Sequence, residues 1–135
     1  MAATNSRNTS FRNVRGVRSF AVKANAKIYK GTLVVTDVTG WALPGGVGTA
    51  LAPAGLALAD VDNTGGANGA IYLDVLLCEA YLASDGTVDQ ASVNKPVFTV
   101  DDVTVAKADG TGTRSGAGNC TGFDAGGVWV SLGVL

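Results

Sequence analysis

The stretch Ala70-Ile71-Tyr72-Leu73-Asp74-Val75-Leu76-Leu77-Cys78-Glu79-Ala80-Tyr81-Leu82 decides the fold, because two periods compete in it. Its Leu, Ala and Glu favour a helix. Its alternation favours a strand, with Ile71, Leu73, Val75 and Leu77 on one face. No N-cap residue leads into a helix here, and the flanking sequence is strand-like, so the segment is predicted to be a strand.

Outward from it, short apolar runs alternate with turn residues. On the N-terminal side Asp62–Gly69 is a loop rich in Gly and Asn, ending in the turn dipeptide Asn68-Gly69. Ala54–Val61 reads as a buried strand. Pro44-Gly45-Gly46 and Asp37–Gly40 are turns on either side of a short Trp41–Leu43 segment. Thr32–Thr36 is rich in β-branched residues. Ser19–Val22 and Ala26–Tyr29 are short strand candidates. On the C-terminal side Val97–Val100 and Val103–Lys107 flank Asp101-Asp102 as a hairpin. Gly116–Phe123 is a small-residue strand. Val128–Leu132 places Val128, Val130 and Leu132 on one face and Trp129 on the other. Ala54-Gly55, Asp60 and the strand at Ile71 are echoed by Ala117-Gly118, Asp124 and the strand at Val128. The expected fold is all-β: a small barrel or sandwich-like domain at residues 20–135, preceded by an extended basic arm at residues 1–19.

Composition agrees with one such domain. The chain has 135 residues, 47% of them apolar and only 16% charged, with 19 glycines. The uncharged run from Val38 to Ala59 contains five Gly and two Pro, so it is a series of turns and strands rather than a membrane helix. Residues 1–20 carry four Arg and no apolar core of a secretory signal.

Charge is divided unequally. Arg7, Arg12, Arg15, Arg18, Lys23, Lys27 and Lys30 give residues 1–30 a charge of +7, with no acid among them. All eleven acids lie in residues 31–135 with only Lys95, Lys107 and Arg114 to offset them, a charge of −8. The arm has too little apolar surface to fold alone. It is expected to order on a partner, with Arg7, Arg12, Arg15 and Arg18 pairing with acids of a neighbouring subunit. Nucleic acid is the weaker candidate partner, because Phe11 is the arm's one aromatic and the acidic body repels phosphate.

Signs of catalysis are sparse. The chain lacks His, which removes the commonest general base and metal ligand. Cys78 and Cys120 stand in no metal-ligand spacing and read as buried, reduced thiols. No nucleophile elbow, phosphate-binding loop or dinucleotide fingerprint occurs. Asp60-Val61-Asp62-Asn63-Thr64-Gly65 resembles the start of a calcium loop, but the twelfth position is Ile71 rather than Glu. That loop is expected to bond its own backbone. Asp101 and Asp102 are expected to be solvated at a turn. No enzyme activity, cofactor, metal site or membrane partner is predicted.

Several motifs together resemble a known family. They are Lys30-Gly31-Thr32-Leu33-Val34-Val35, Asp37, Gly40-Trp41-Ala42, Pro44 and Gly55-Leu56-Ala57, followed by Val61 through Gly69, Lys95 through Lys107 and Gly126-Gly127-Val128-Trp129-Val130. Over residues 20–132 their turn and strand spacing is similar to that of small bacteriophage capsid decoration (cement) proteins. The resemblance implies a β-rich virion protein, made in the host bacterial cytoplasm and bound to the outside of the assembled head. There it would bridge neighbouring major capsid protein subunits, often as a homotrimer, and stabilise the lattice by mass action. The family offers no catalytic residues to carry over. The Arg-rich arm departs from the pattern, since many relatives lack it. Another phage component, of tail or tube, and an arm-mediated nucleic-acid-binding module are the alternatives.

Overall fold

The structure, a computed structural model, describes residues 2–132. Residue 1 of the expected arm and residues 133–135 of the expected domain lie outside the described residues. In chain order the strands are β1 (Phe11–Ala21), β2 (Lys27–Ile28), β3 (Leu33–Thr36), β4 (Ala42–Pro44), β5 (Ala52–Ala57), β6 (Val61–Asp62), β7 (Tyr72–Ser84), β8 (Pro96–Thr99), β9 (Thr104–Ala106), β10 (Gly116–Asp124) and β11 (Gly127–Ser131). A 3-10 turn, Gln90–Ser92, precedes β8. The fold is all-β, as the alternation predicts.

Strands β7, β9, β8, β10 and β11 pair in that order, and β11 pairs back to β7, closing a five-stranded barrel. β8 and β9 form the expected hairpin, with Phe98 opposite Ala106. Strands β5, β3 and β4 extend the sheet from β7. β2 and β6 make a separate two-stranded sheet.

The ambiguous segment is the hub. Ala80 pairs with Phe11 on one edge of β7 and Val130 on the other; Leu76 likewise pairs with Val17 and Leu56. One edge of β7 is therefore taken by β1 and then β9, the other by β5 and then β11. Its two faces are also divided. Leu76, Cys78, Ala80 and Leu82 point into the barrel core with Val97, Val105, Val128, Val130 and Leu132. Leu73 and Val75 face a second core with Val22, Ile28, Val34 and Ala57. A strand covered on both faces reads as nearly continuous apolar sequence, which explains its helix-like composition.

Two expectations need correction. Ala54–Val61 is not one strand: β5 ends at Ala57 and β6 begins at Val61, because Asp60 turns out to accept the Lys30 N–H at 2.7 Å. The expected arm boundary at residue 19 falls inside β1, which pairs with β7 at Phe11 and Arg12 and again from Gly16 to Ala21.

The barrel interior holds three polar groups of interest. Cys78 and Cys120 are both buried and free. Burial pushes the Cys78 thiol up to about 11 and also raises Cys120. Thr99 is fully buried and its hydroxyl has no hydrogen-bond partner. Close packing leaves no room at Gly118, whose φ of +145° and distance of 2.0 Å from a built Cβ to the Ser131 carbonyl exclude any side chain.

Replacing Thr99→Val removes an unsatisfied buried hydroxyl at constant shape, so stability should rise by about 1 kcal/mol in urea melts. A loss of stability would mean that the hydroxyl has a partner. Both thiols should resist alkylation in the folded protein at a pH of about 8 and react on unfolding, counted by mass spectrometry.

Candidate functional site: the basic strand and the face that holds it

The four arginines singled out from sequence lie on a segment that runs along the chain's own body. The segment is attached at five places. The Ala3 N–H donates to Asp102 Oδ1 at 2.8 Å, and the Ser6 hydroxyl donates to the Asp60 carboxylate. The Arg7 N–H donates to the Lys30 carbonyl at 2.8 Å, and Thr9 Oγ1 donates to the Gly31 carbonyl. The Tyr81 N–H donates to the Ser10 carbonyl at 2.9 Å, where the β1–β7 ladder begins. Gly31 makes this passage possible. Its φ is +80°, and a Cβ there would stand 2.1 Å from the Arg7 carbonyl oxygen.

The guanidinium groups are handled differently from one another. Arg12 Nε donates to Glu79 Oε1 at 2.8 Å while its guanidinium carbon lies 4.1 Å from the Trp129 ring centroid. Asn13 Nδ2 donates to the other Glu79 oxygen at 2.7 Å, and the Thr121 hydroxyl donates to Glu79 Oε1 at 2.9 Å. Arg15 crosses the outside of β7 to donate to Ser131 Oγ at 2.9 Å and to the Leu132 carbonyl. Arg18 stacks over Phe20 at 4.8 Å. Arg7 lines a cleft with Thr9, Phe11, Lys30 and Leu58.

Trp129 also meets Tyr81, with centroids 5.1 Å apart, and the Tyr81 hydroxyl donates to Asp124 at 2.5 Å. Gly127 leaves room for that ring: a Cβ there would be 2.9 Å from Tyr81 Cζ. A chain of contacts therefore runs from Asn13 and Arg12 through Glu79 and Trp129 to Tyr81 and Asp124. It fastens β1 to the outer wall of the barrel. The expectation that residues 1–19 extend away from the body is corrected for residues 2–19. The physical cause is that β7 is longer than the barrel needs, and β1 fills the edge that would otherwise be bare.

Local electrostatics follow the same contacts. Arg12, then Asn13, hold the Glu79 carboxyl below its ordinary range against the opposing effect of burial. The Lys30 N–H and Ser6 hydroxyl do the same for Asp60. Asp102 goes the other way: burial raises it, with the Ala3 N–H opposing. Asp102 is only 4% exposed, which corrects the expected solvated turn. The N-terminal segment covers it, and its own carbonyl accepts the Leu33 N–H at 2.8 Å.

The loop that resembles a calcium site turns its polar groups inward to protein. Asp62 accepts from the Thr64 N–H and hydroxyl. Buried Asn63 donates to the Lys23 and Ala67 carbonyls. Among the described residues no group of three His, Cys, Asp or Glu is placed to hold a metal ion. No helix among them is long and apolar enough to cross a membrane.

Sequence reasoning identified the arginines but not Glu79, Trp129 or Tyr81 as the surface that receives them. The available signal was Glu79 and Tyr81, polar residues at alternate positions in the otherwise apolar run from Val75 to Ala83. Comparison with protein families, curated proteins and solved structures finds no match.

Glu79 makes the fastening of β1 pH-dependent. Its folded-state pKa lies below the ordinary value of 4.5, so its contribution is complete above that value and fades as the pH falls towards the folded-state pKa. Amide exchange at Arg12 and Asn13 should accelerate over that acid range, with the barrel strands still protected. Glu79→Gln should accelerate it already at neutral pH and flatten its pH dependence.

Proposed function

We propose that this protein is a bacteriophage head decoration protein, which attaches to the outside of the assembled capsid and bridges neighbouring major capsid protein subunits. The observation that supports this best is β1: eleven residues, none of them buried, laid along the outside of a closed barrel and rich in arginine. Such a strand adds little to the chain's own core but offers a long contact to something else. Phe11, Val14 and Val17 are about half exposed on it, although isolated solvent contact favours none of them. The closed barrel supplies a rigid base, and the resemblance noted over residues 20–132 points to the same role.

On this proposal the active assembly is a homotrimer on the capsid surface, where closed symmetry matches the local three-fold arrangement of capsid subunits. The binding energy is distributed over many copies. Each copy needs to contribute only a few kcal/mol, because it binds the assembled lattice and not free subunits. Nucleic acid is less well supported as a partner, since Arg12 and Arg15 already bond to Glu79, Ser131 and Leu132.

The test is co-sedimentation of the purified protein with undecorated heads, followed by imaging of the particles. Density at three-fold positions and higher resistance of decorated heads to heat are expected. Location in the tail, two-fold density, or no binding to heads would overturn the proposal.

A further inference from the structure

The outer face of the β8–β9 hairpin carries a trough that the barrel core does not use. Val97 and Thr99 are fully buried, so the alternate residues Pro96 and Phe98 stand on the outside of β8. Across the neighbouring strands Phe98 is paired with Ala106 on β9 and Gly116 on β10, a methyl group and no side chain at all. A Cβ built at Gly116 meets no atom within 4 Å, so the space beside the ring is open. Ser92, Lys95, Pro96, Phe98 and Lys107 line the resulting cavity of about 280 Å³.

Charge is concentrated at one end of it. Lys95 directly precedes β8 and Lys107 directly follows β9, and these strands are antiparallel, so both lysines lie at the same end of the hairpin. They are two of the three cations in residues 31–135, which hold all eleven acids, yet none of the lining residues is acidic. Lys107 Nζ donates to Asp89 Oδ2 at 3.0 Å in an exposed pair. Among the described residues the Lys95 ammonium has no partner. Its backbone is nevertheless fixed: the N–H donates to the Ser92 carbonyl at 3.0 Å, and the carbonyl accepts the Cys120 N–H at 2.9 Å.

An occupant that fits must therefore carry an apolar group for Pro96 and Phe98 and, next to it, negative charge for the lysines. The volume falls below the ~300–1,000 Å³ of pockets that enclose small ligands. One hairpin and one turn wall the trough, so the occupant has to bring its own cover, which a protein chain does and a free small molecule does not.

We propose that the outer face of the β8–β9 hairpin is a docking site for a segment of another protein in which an aromatic side chain is followed directly by acidic residues. The ring lies against Phe98 and Pro96, and the carboxylates meet Lys95 and Lys107. This goes beyond head decoration and does not depend on it.

The test uses the full chain and a labelled, end-blocked peptide with Phe-Glu-Glu at its centre. Peptides with Phe-Lys-Lys or Ala-Glu-Glu there, phenylacetate and a single-stranded DNA serve as comparisons. The Phe-Glu-Glu peptide should bind best and shift the NMR signals of Lys95, Phe98 and Gly116, and added salt should weaken it. Gly116→Val puts a side chain into the open space, at a position whose φ does not require glycine, and should weaken binding about tenfold. Lys95→Glu leaves the trough and the backbone bonds in place, and should remove the advantage over the Phe-Lys-Lys peptide. Because Lys95 is exposed, that variant decides the matter even if Gly116→Val does not fold. No binding at peptide concentrations up to about 1 mM, shifts confined to other surfaces, or equal binding by folded Gly116→Val would each overturn the proposal. So would an unchanged preference in Lys95→Glu, equal binding of the Ala-Glu-Glu peptide, or tighter binding of phenylacetate or DNA.

Discussion

The fold depends on one strand having more edge and more face than a five-stranded barrel can use. β7 runs thirteen residues, from Tyr72 to Ser84. Only its C-terminal part, from about Glu79, is closed into the barrel by β11 and β9. The N-terminal part, Tyr72 to Val75, projects beyond it, with Leu73 and Val75 apolar on the face opposite the barrel core. A projecting strand cannot be left bare, since its N–H and carbonyl groups need partners and its apolar face needs cover. β5 meets the first need on one edge and β1 on the other. Val22, Ile28, Val34 and Ala57 supply the cover. The second core is thus a consequence of the length of β7, as is the position of the N-terminal segment.

The uneven charge of the chain has a partly internal explanation. The basic first thirty residues lie against carboxylates of the acidic remainder at Glu79, Asp60, Asp102 and Asp37, the last paired with Lys23 at 2.5 Å. These contacts are exposed or half-buried, so each is of modest strength. Their effect is directional: they fix the path of residues 2–21 over the barrel wall. The stack of Arg12 on Trp129 adds an apolar component that salt screens less than an exposed ion pair.

Much of this was legible in the sequence because period-two patterning and turn chemistry are local properties. Thr32–Thr36, the hairpin around Asp101-Asp102, and the last strand with Val128, Val130 and Leu132 buried are read directly from alternation. The failures are at positions where a distant segment decides the outcome. Phe11–Arg18 is polar enough to read as an unfolded arm, and it becomes a strand only because β7 offers an edge some sixty residues away in sequence. Asp102 reads as a solvated turn residue, and it is buried because residue 3 crosses over it. Glu79 stands out locally as a charge in an apolar run, but nothing local says that it gathers Arg12, Asn13 and Thr121. Alternation shows which side chains share a face, but not which strand will lie beside them.

The arginines of β1 then have a second consequence. An exposed strand eleven residues long is a hazard for uncontrolled pairing, and natural sheets protect such edges with charge and bulges. β1 carries both, in Arg12, Arg15 and Arg18 and in the irregularity between Arg12 and Gly16. Arg12 and Arg15 are themselves anchored to the barrel wall, through Glu79, Ser131 and the Leu132 carbonyl, so the charge that guards the strand is also the charge that fastens it to its own body.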